Sequence, residues 1–168
     1  MDDDELLDLV DSKDRVIGTT LRSQADARTN KQFLRAAEAF IQNRRGELWI
    51  PRRQPHKRIA PGGLDYSMGE HVKSGEDYLQ ACLRGFKEEL NLDLKPKQLK
   101  FIRIFAPNHE LGYFRALYIY ESDVAPDYNP EDFSEWSWLT PAQLLAKLKT
   151  GEAAKLSLAE TAGYLAGR

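Results

Sequence analysis

Five apolar side chains recur at intervals of three or four residues near the middle of the chain. This spacing predicts an amphipathic helix that buries one face. The apolar stripe consists of Leu79, Cys82, Leu83, Phe86 and Leu90. Ser74 is the candidate N-cap of this helix, with Asp77 three residues later as a loose capping box. Asn91 is the expected end, because Asn readily adopts the left-handed conformation that follows many helices.

Segments on both sides of this helix are rich in β-branched and aromatic residues and are separated by turn residues, which predicts strands. The predicted strands are 6–10, 15–20, 33–43, 48–50, 64–68, 99–105, 115–120 and 135–139. The first two flank a turn at 11–14 and predict a hairpin over residues 6–20. Residues 33–43 also fit a helix by periodicity, but the turn at 43–46 favours two antiparallel strands. Three prolines between 51 and 61 predict a loop before the central helix.

Helix signals dominate the C-terminal part of the chain. Thr140 is a capping residue, Pro141 occupies the first helical position and Gln143 completes a capping box, so a helix is predicted through Lys149. A further short helix is predicted at 156–165. Strands before and after one central helix, with helices at the end, predict an α/β fold in which helices sandwich a mixed sheet.

Length and composition narrow the class of protein. The 168 residues predict one domain over 1–168, with frayed ends at 1–5. A hydrophobic content of 42% and a net charge of −2 are typical of a soluble globular protein without a general affinity for nucleic acid or acidic membranes. Without a leader or a long apolar run, the cytoplasm is the expected location. The single cysteine, Cys82, excludes an internal disulfide, and its place on the apolar stripe predicts a core residue.

The other face of the central helix carries the candidate chemistry. At about 100° per residue, Arg84, Glu88 and Glu89 lie opposite the apolar stripe, and a loop rich in Gly and Ser precedes them. Clustered carboxylates of this kind suit Mg²⁺, which prefers oxygen ligands and retains some of its waters. The alternative interpretation is a solvated helix face, the usual fate of neighbouring acidic residues.

Residues 70–92 resemble the signature of the Nudix hydrolases, G-x5-E-x7-R-E-U-x-E-E-x-G-U, in which U is a bulky apolar residue. The positions that match are Glu76, Arg84, Phe86, Glu88, Glu89 and Leu92. Three positions depart from the signature: Glu70 replaces the first Gly, Gly85 replaces a Glu, and Asn91 replaces the last Gly. We call residues 69–92 the box segment. The match is degenerate, but its alignment to the chain is unambiguous.

The departure at Gly85 matters most. It costs the helix about 1 kcal/mol relative to Ala, and it removes a carboxylate that many relatives use as a metal ligand or general base. Our hypothesis is that Glu70 partly fills this vacancy from the loop side. Glu110 and Glu121 are the other candidates for the missing base.

The resemblance extends beyond the box segment. The stretches LDLVDSKDRVIGTTLR, GELWIPRRQPHK and EWSWLTPAQL are similar to a Nudix subgroup related to isopentenyl-diphosphate isomerase. The likeness implies the Nudix α/β/α sandwich. It also implies hydrolysis of a phosphoanhydride in a nucleoside di- or triphosphate or a related diphosphate. The expected partner is therefore a small molecule, and the sequence leaves a homodimer possible.

The resemblance also implies roles for individual residues. Mg²⁺, or Mn²⁺ in its place, would be held by Glu88, Glu89 and the carbonyl of Gly69. Glu70 and Arg84 complete the predicted catalytic set. Arg84, together with Glu76, acts there as a brace between loop and helix.

Four basic residues, Arg52, Arg53, Lys57 and Arg58, lie between a strand and the box segment. The first three are the candidate substrate-binding residues, because Arg and Lys bind phosphates. The alternative is a solubilising loop.

The histidines and aromatic residues carry weaker signals. No histidine pair has the spacing of a metal site. His71 lies in the loop before the central helix and could approach the metal or a phosphate, but a surface position is the expectation. Four aromatic side chains could stack on a base or pack in the core. They are Trp49, Tyr113, Trp136 and Trp138.

Two competing functions follow from the same residues. A non-catalytic nucleotide-binding protein would explain Gly85. Isomerase chemistry is disfavoured, because that family carries a reactive Cys where this chain has Gly69. It also has paired N-terminal histidines, whereas His56 is the first histidine here.

Overall fold

The computed structural model describes residues 4–168. Its strands are β1 (Leu6–Val10), β2 (Val16–Leu21), β3 (Leu34–Gln42), β4 (Leu48–Arg53), β5 (Met68–His71), β6 (Leu99–Phe105), β7 (Tyr113–Glu121) and β8 (Phe133–Leu139). Its α-helices are α1 (Tyr78–Leu90), α2 (Pro141–Lys149) and α3 (Leu158–Ala166). The polar segment after β2 forms a 3-10 helix, Arg22–Ala27.

Six strands form the central mixed sheet, in the order β6-β7-β3-β4-β8 with β5 also on β3. The nine residues of β3 pair in parallel with β7 along one edge. Along the other edge, the first half of β3 pairs with β5 and its last residue, Gln42, pairs with Leu48 of β4. All pairs other than β3–β7 are antiparallel. The strand interpretation of 33–43 is therefore confirmed.

Helices cover both faces of this sheet. On one face, Cys82 and Phe86 of α1 join a buried cluster with strand residues such as Ile41 and Tyr118. On the other face, Leu144 of α2 and three residues of α3 pack against a second cluster. The predicted α/β/α sandwich is confirmed. Of the three α-helices, α1 is the one that belongs to the box segment.

The N-terminal hairpin forms a separate two-stranded sheet. Leu7 and Leu9 pack against Leu34, so the hairpin lies at the start of β3. Residues 1–3 of the segment expected to fray lie outside the described residues. Its other two residues are held in place, because Asp4 accepts a hydrogen bond from the Ser23 amide at 3.0 Å and Glu5 pairs with Arg22 and Lys73.

The central helix begins later than the Ser74 cap predicts. Asp77 is the N-cap and accepts a hydrogen bond from the Gln80 amide, whose side chain accepts one from the Asp77 amide. The prediction for Ser74 was wrong because its hydroxyl donates to Asp8 in the hairpin, at 2.7 Å. At the other end, Asn91 adopts the left-handed conformation with φ of 54°, as predicted.

The bounds of β5 and β4 also differ from the prediction. The strand expected at 64–68 lies at Met68–His71, because the Ser67 hydroxyl occupies the preceding position. That hydroxyl accepts from the Ile41 amide at 2.9 Å and donates to the Trp49 carbonyl at 2.6 Å. β4 continues through Pro51, whose carbonyl still accepts a hydrogen bond from the Asp65 amide at 3.0 Å.

The C-terminal helices follow the sequence closely. Thr140 caps α2, with the capping box completed by Gln143, as predicted. α3 begins two residues later than expected, because Ala154 and Lys155 extend alongside Leu64 before the chain turns. Between residues 4 and 168, no helix has the length and apolar character needed to cross a membrane.

Candidate active site

A pocket of about 550 Å³ opens between the box segment, β4 and the chain after α2. The box segment contributes Gly69, Glu70 and His71 from β5, with Glu88 and Glu89 from the last turns of α1. Strand β5 and helix α1 thus bring together residues that lie almost twenty positions apart. The pocket collects all three carboxylates that the sequence assigns to the catalytic set.

These carboxylates, Glu70, Glu88 and Glu89, form what we call the acidic wall. Glu88 is exposed, with 54% of its side chain accessible, whereas Glu89 is half-buried. Burial, reinforced by the neighbouring Glu70 carboxylate, raises the pKa of Glu89 well above its ordinary value. Two carboxyl groups in such proximity cannot both ionise without cost, so the acidic wall is a place where a cation would be stabilised.

The close approach of β5 explains Gly85. A Cβ at this position would lie 2.7 Å from Cγ of Glu70, and Met68 Sδ is closer still. A side chain at 85 would therefore require β5 to move, unless Met68 and Glu70 adopted other rotamers. Glu70 occupies the space that a residue-85 side chain would enter. The two departures from the signature are thus linked in space, because the side chain gained at position 70 fills the room left by the side chain lost at position 85.

Arg84 ties the acidic wall to the box loop. Its guanidinium forms a bidentate pair with Glu76 at 2.8 and 3.0 Å and donates to the His71 carbonyl at 2.8 Å. It also reaches Glu70 at 3.3 Å and Glu88 at 3.4 Å. Burial disfavours its charge, but the surrounding carboxylates outweigh burial and raise the pKa of Arg84 further. This geometry suits the bracing role.

Two basic residues, Arg53 and Lys57, also line the pocket, and we call them the basic wall. Arg53 pairs with the buried Asp65 at 2.6 Å and donates to the Ile59 carbonyl at 2.7 Å. Lys57 pairs with Asp132, which also lines the pocket. Each predicted phosphate-binding side chain here is therefore already held by its own carboxylate.

Arg52, the third predicted substrate-binding residue, turns away from these residues. It pairs with Glu135 at 2.7 Å and with Glu152 at 2.6 Å, and it donates to the Gly62 carbonyl at 2.9 Å. The alternation of side chains along β4 accounts for the difference from Arg53. The structure does not bring Arg52 to the pocket.

His71 is the clearest departure from expectation in this region. Its ring is half-buried and packs edge-on against Tyr113, with centroids 5.7 Å apart. Burial, with Arg22 nearby, lowers the pKa of His71 to about 4. The expected surface position was wrong, because the β5 register turns this side chain inward.

Other candidates divide between pocket and core. Tyr113 lines the pocket, whereas Trp49 is fully buried beside Phe133. The alternative bases Glu110 and Glu121 are exposed and lie outside the pocket lining. Of the three carboxylates proposed for the missing base, Glu70 is the one in the pocket.

The sequence of this chain is similar to those of known proteins that share one domain. The profile of the NUDIX domain matches residues 32–159, which is most of the chain. The chain belongs to the Nudix family. A Nudix hydrolase from Deinococcus radiodurans is 43% identical over 94% of this chain and 91% of its own length. An uncharacterized Nudix hydrolase from Nostoc sp. is also 43% identical, over 94% of both chains.

Solved Nudix structures agree with the fold. The crystal structure of DR0079 from D. radiodurans superimposes with a TM-score of 0.85 at 41% identity, covering 96% of this chain and 99% of that one. Isopentenyl-diphosphate Delta-isomerases are more distant, with one from Serratia proteamaculans 32% identical over 84% of this chain. The Nudix fold with a mixed sheet and flanking helices is therefore established.

The donor set of the acidic wall fits the divalent cation on which Nudix enzymes typically depend. Within residues 4–168, no three His, Cys, Asp or Glu side chains are gathered tightly enough to enclose a metal unaided. Glu89, whose charge burial and the neighbouring Glu70 disfavour, offers hard oxygen donors that a cation would stabilise in the ionised form. Water and substrate oxygens would complete such a site, as they commonly do around Mg²⁺.

Lys155 and Glu38 are among the lining residues of this Nudix pocket that sequence reasoning missed. Lys155 enters from the segment between α2 and α3, and Glu38 enters from β3. Neither belongs to a motif, and both are more than thirty residues from the box segment. The one signal for Glu38 in the sequence is that it is an acidic residue among the apolar residues of a predicted strand.

Proposed function

We propose that this Nudix protein is a Mg²⁺-dependent hydrolase that cleaves a phosphoanhydride bond in a nucleoside di- or triphosphate or a related diphosphate derivative. The observation that carries the proposal is one pocket whose lining contains the acidic wall together with Arg53 and Lys57. Carboxylates suit the cation and the basic side chains suit the phosphates. Mn²⁺ would serve in place of Mg²⁺.

The acidic wall would hold the cation through Glu88, Glu89 and the Gly69 carbonyl. Bound there, a divalent ion supplies charge neutralisation of the diphosphate and lowers the pKa of a coordinated water. Glu70 would supply the carboxylate that the signature places at 85 and would accept the proton of the attacking water. Arg84, 3.3 Å from Glu70, would keep that carboxylate in position.

The basic wall would orient the substrate. Arg53 and Lys57 are aligned by Asp65 and Asp132, so little side-chain entropy is lost when a phosphate arrives. Arg52 has no place in this role, since its partners lie elsewhere.

A non-catalytic nucleotide-binding protein is the second candidate, and Gly85 is the observation in its favour. The position of Glu70 weakens it, because a carboxylate remains available where the Gly85 side chain is missing. Isomerase chemistry is less favoured still, because Gly69 stands in the place of the reactive Cys.

A substrate screen tests the proposal. Nucleoside di- and triphosphates, sugar nucleotides and dinucleoside polyphosphates are incubated with Mg²⁺ or Mn²⁺, and released phosphate and pyrophosphate are measured. We expect turnover that Glu89→Gln lowers at least about 100-fold, or about 2.7 kcal/mol in activation free energy. Glu131→Gln, in an exposed loop, is the matched control and should retain full activity.

Two outcomes would contradict hydrolysis. Nucleotide binding without turnover in wild-type protein would favour the non-catalytic alternative. Equal activity of Glu89→Gln and Glu131→Gln would remove the acidic wall from the chemistry.

A further inference from the structure

Lys155 lies in the segment between α2 and α3, and backbone hydrogen bonds fix its position. The Leu64 amide donates to the Ala153 carbonyl at 2.8 Å, and the Lys155 amide donates to the Leu64 carbonyl at 3.1 Å. A Cβ at Gly63 would lie 3.0 Å from the Ala153 carbonyl carbon, so glycine permits this close approach. The segment is thereby held against the strand side of the pocket.

The side chain of Lys155 extends from this segment into the pocket. A Cβ built on Gly69 would lie 3.3 Å from its ammonium nitrogen, which places Nζ beside strand β5. The side chain is 25% accessible, and the pocket lining includes it. A ligand in the pocket can therefore reach the ammonium group.

Carboxylates surround this ammonium group and keep it charged. Burial disfavours the charge, but Asp65, Glu89 and Glu38 outweigh burial and the repulsion of Arg53, so the pKa of Lys155 is raised. Lys155 is thus a permanent cation at neutral pH, next to the acidic wall.

Two of the three carboxylates that surround Lys155, Asp65 and Glu38, have stronger partners elsewhere. Asp65 pairs with Arg53 at 2.6 Å, and its second oxygen accepts a hydrogen bond from the Tyr66 amide at 2.7 Å. Lys155 reaches Asp65 only at 3.4 Å, which is long for a charge-assisted hydrogen bond.

Glu38 is likewise paired with Arg115, at 3.2 Å, and accepts a hydrogen bond from Ser157. Among residues 4–168, the long contact with Asp65 is the ion pair that Lys155 makes. A mere counter-ion would be expected to approach its carboxylate more closely. The three N–H donors of the ammonium remain free to turn towards a ligand.

We propose that Lys155 is a substrate-binding residue that donates hydrogen bonds to a non-bridging oxygen of the substrate diphosphate, beside Gly69 and Glu89. The inference rests on the proposed function only in taking a diphosphate as the ligand. In this arrangement Arg53 and Lys57 contact the phosphates from the basic wall, and Lys155 contacts them from its position beside Gly69. A compact ammonium suits this position, because it binds phosphate as a point charge without the fixed geometry of a guanidinium.

Binding of methylenediphosphonate, which cannot be hydrolysed, tests the contact directly. The affinity is measured by isothermal titration calorimetry in Mg²⁺ for wild type, Lys155→Met, Lys155→Arg and Lys149→Met. We expect Lys155→Met to weaken binding about tenfold or more, or about 1.4 kcal/mol. Lys155→Arg should keep most of the affinity, and Lys149→Met, an exposed control on α2, should match wild type.

The contact is overturned if Lys155→Met binds as tightly as Lys149→Met, or if wild-type protein does not bind the probe. Should Lys155→Met fail to fold, acetylation of wild-type protein decides the question. Acetic anhydride modification of Lys155, followed by peptide mass spectrometry, should slow severalfold when methylenediphosphonate is present, while that of Lys149 stays constant. An unchanged rate at Lys155 would contradict the proposal.

The two proposals can fail separately. Probe binding that depends on Lys155, in a protein that turns over no nucleotide, would leave this inference standing and end the hydrolase proposal. If the protein hydrolyses nucleotides but Lys155→Met binds the probe as tightly as wild type, the hydrolase proposal stands and this inference fails.

Discussion

The two walls of the pocket differ in how their charges are compensated. In the acidic wall, Glu70 and Glu89 crowd each other, and burial raises the pKa of Glu89. Arg84 pairs with Glu70 and Glu88, so Glu89 is the carboxylate of the acidic wall whose charge is most disfavoured. In the basic wall, both cationic side chains, Arg53 and Lys57, are paired. The difference predicts that a bound cation would affect the first wall more than the second, whose two basic side chains are already held by carboxylates.

Placing Glu, the residue of the family signature, at position 85 should have the largest effect on stability and activity. Gly85→Glu places a side chain against Glu70 and Met68, so we expect a loss of about 1–3 kcal/mol in unfolding free energy, together with most of the activity. Urea denaturation and phosphate release measure the two effects.

The double variant Glu70→Gly with Gly85→Glu sharpens this test. It removes the Glu70 side chain from the space that Glu at 85 would fill, so it should be more stable and more active than Gly85→Glu alone. Equal stability of the single and double variants would show that the two positions do not compete for space.

Removal of the brace behind the acidic wall should have the next largest effect. Arg84→Met leaves the carboxylates of Glu76 and Glu70 without their partner, and we expect a loss of about 2 kcal/mol in unfolding free energy at pH 7. Lys87→Met, exposed on the same helix, is the control.

The same brace predicts a dependence on pH. Burial raises the pKa of Glu76, but hydrogen bonds from Arg84 and the Lys73 amide outweigh burial and lower it. This contribution to stability is complete above the ordinary value of 4.5 and is lost as the pH falls through the lowered one. The stability difference between wild type and Arg84→Met should therefore shrink below about pH 4.5. A constant difference would exclude this origin.

The basic wall should respond more mildly, and neighbouring arginines provide a matched pair. Arg53→Met should raise KM about tenfold, or about 1.4 kcal/mol, with kcat less affected. Arg52→Met should change KM less than about twofold, because Arg52 pairs with Glu135 and Glu152 outside the pocket. If the two variants behaved alike, the distinction between the two side chains of β4 would be wrong.

The smallest effect is expected for chemical modification of Cys82, which lies on the buried face of α1. Cys82 is fully buried, and burial raises the pKa of its thiol. Ellman's reagent should therefore react with Cys82 only after denaturation. Rapid reaction of the native protein would show that the face of α1 opposite Glu88 is open.

Features determined by local sequence were predictable. The capping box of α2, the left-handed Asn91 and the side of α1 that carries Glu88 and Glu89 follow from residues within one or two turns. The family resemblance rests on this same segment. The prediction of a carboxylate site in this segment required no tertiary information.

Features determined by distant contacts were not predictable. Ser74 is a good capping residue, and only its contact with Asp8, 66 positions away, explains why it does not cap α1. His71 turns inward because of the register of β5 on β3. Lys155 enters the pocket because its segment pairs with Leu64, and no sequence pattern relates those positions.

The Ser67 hydroxyl joins two branches of the sheet that diverge from one edge of β3. One branch, β5, carries Gly69 and Glu70, and the other, β4, carries Arg53. Ser67 connects them by accepting from Ile41 and donating to Trp49. This junction, deep in the core, therefore helps to set the distance between the proposed cation site and the proposed phosphate site. Evolution could retune the span of an accepted substrate there without touching a residue that contacts it.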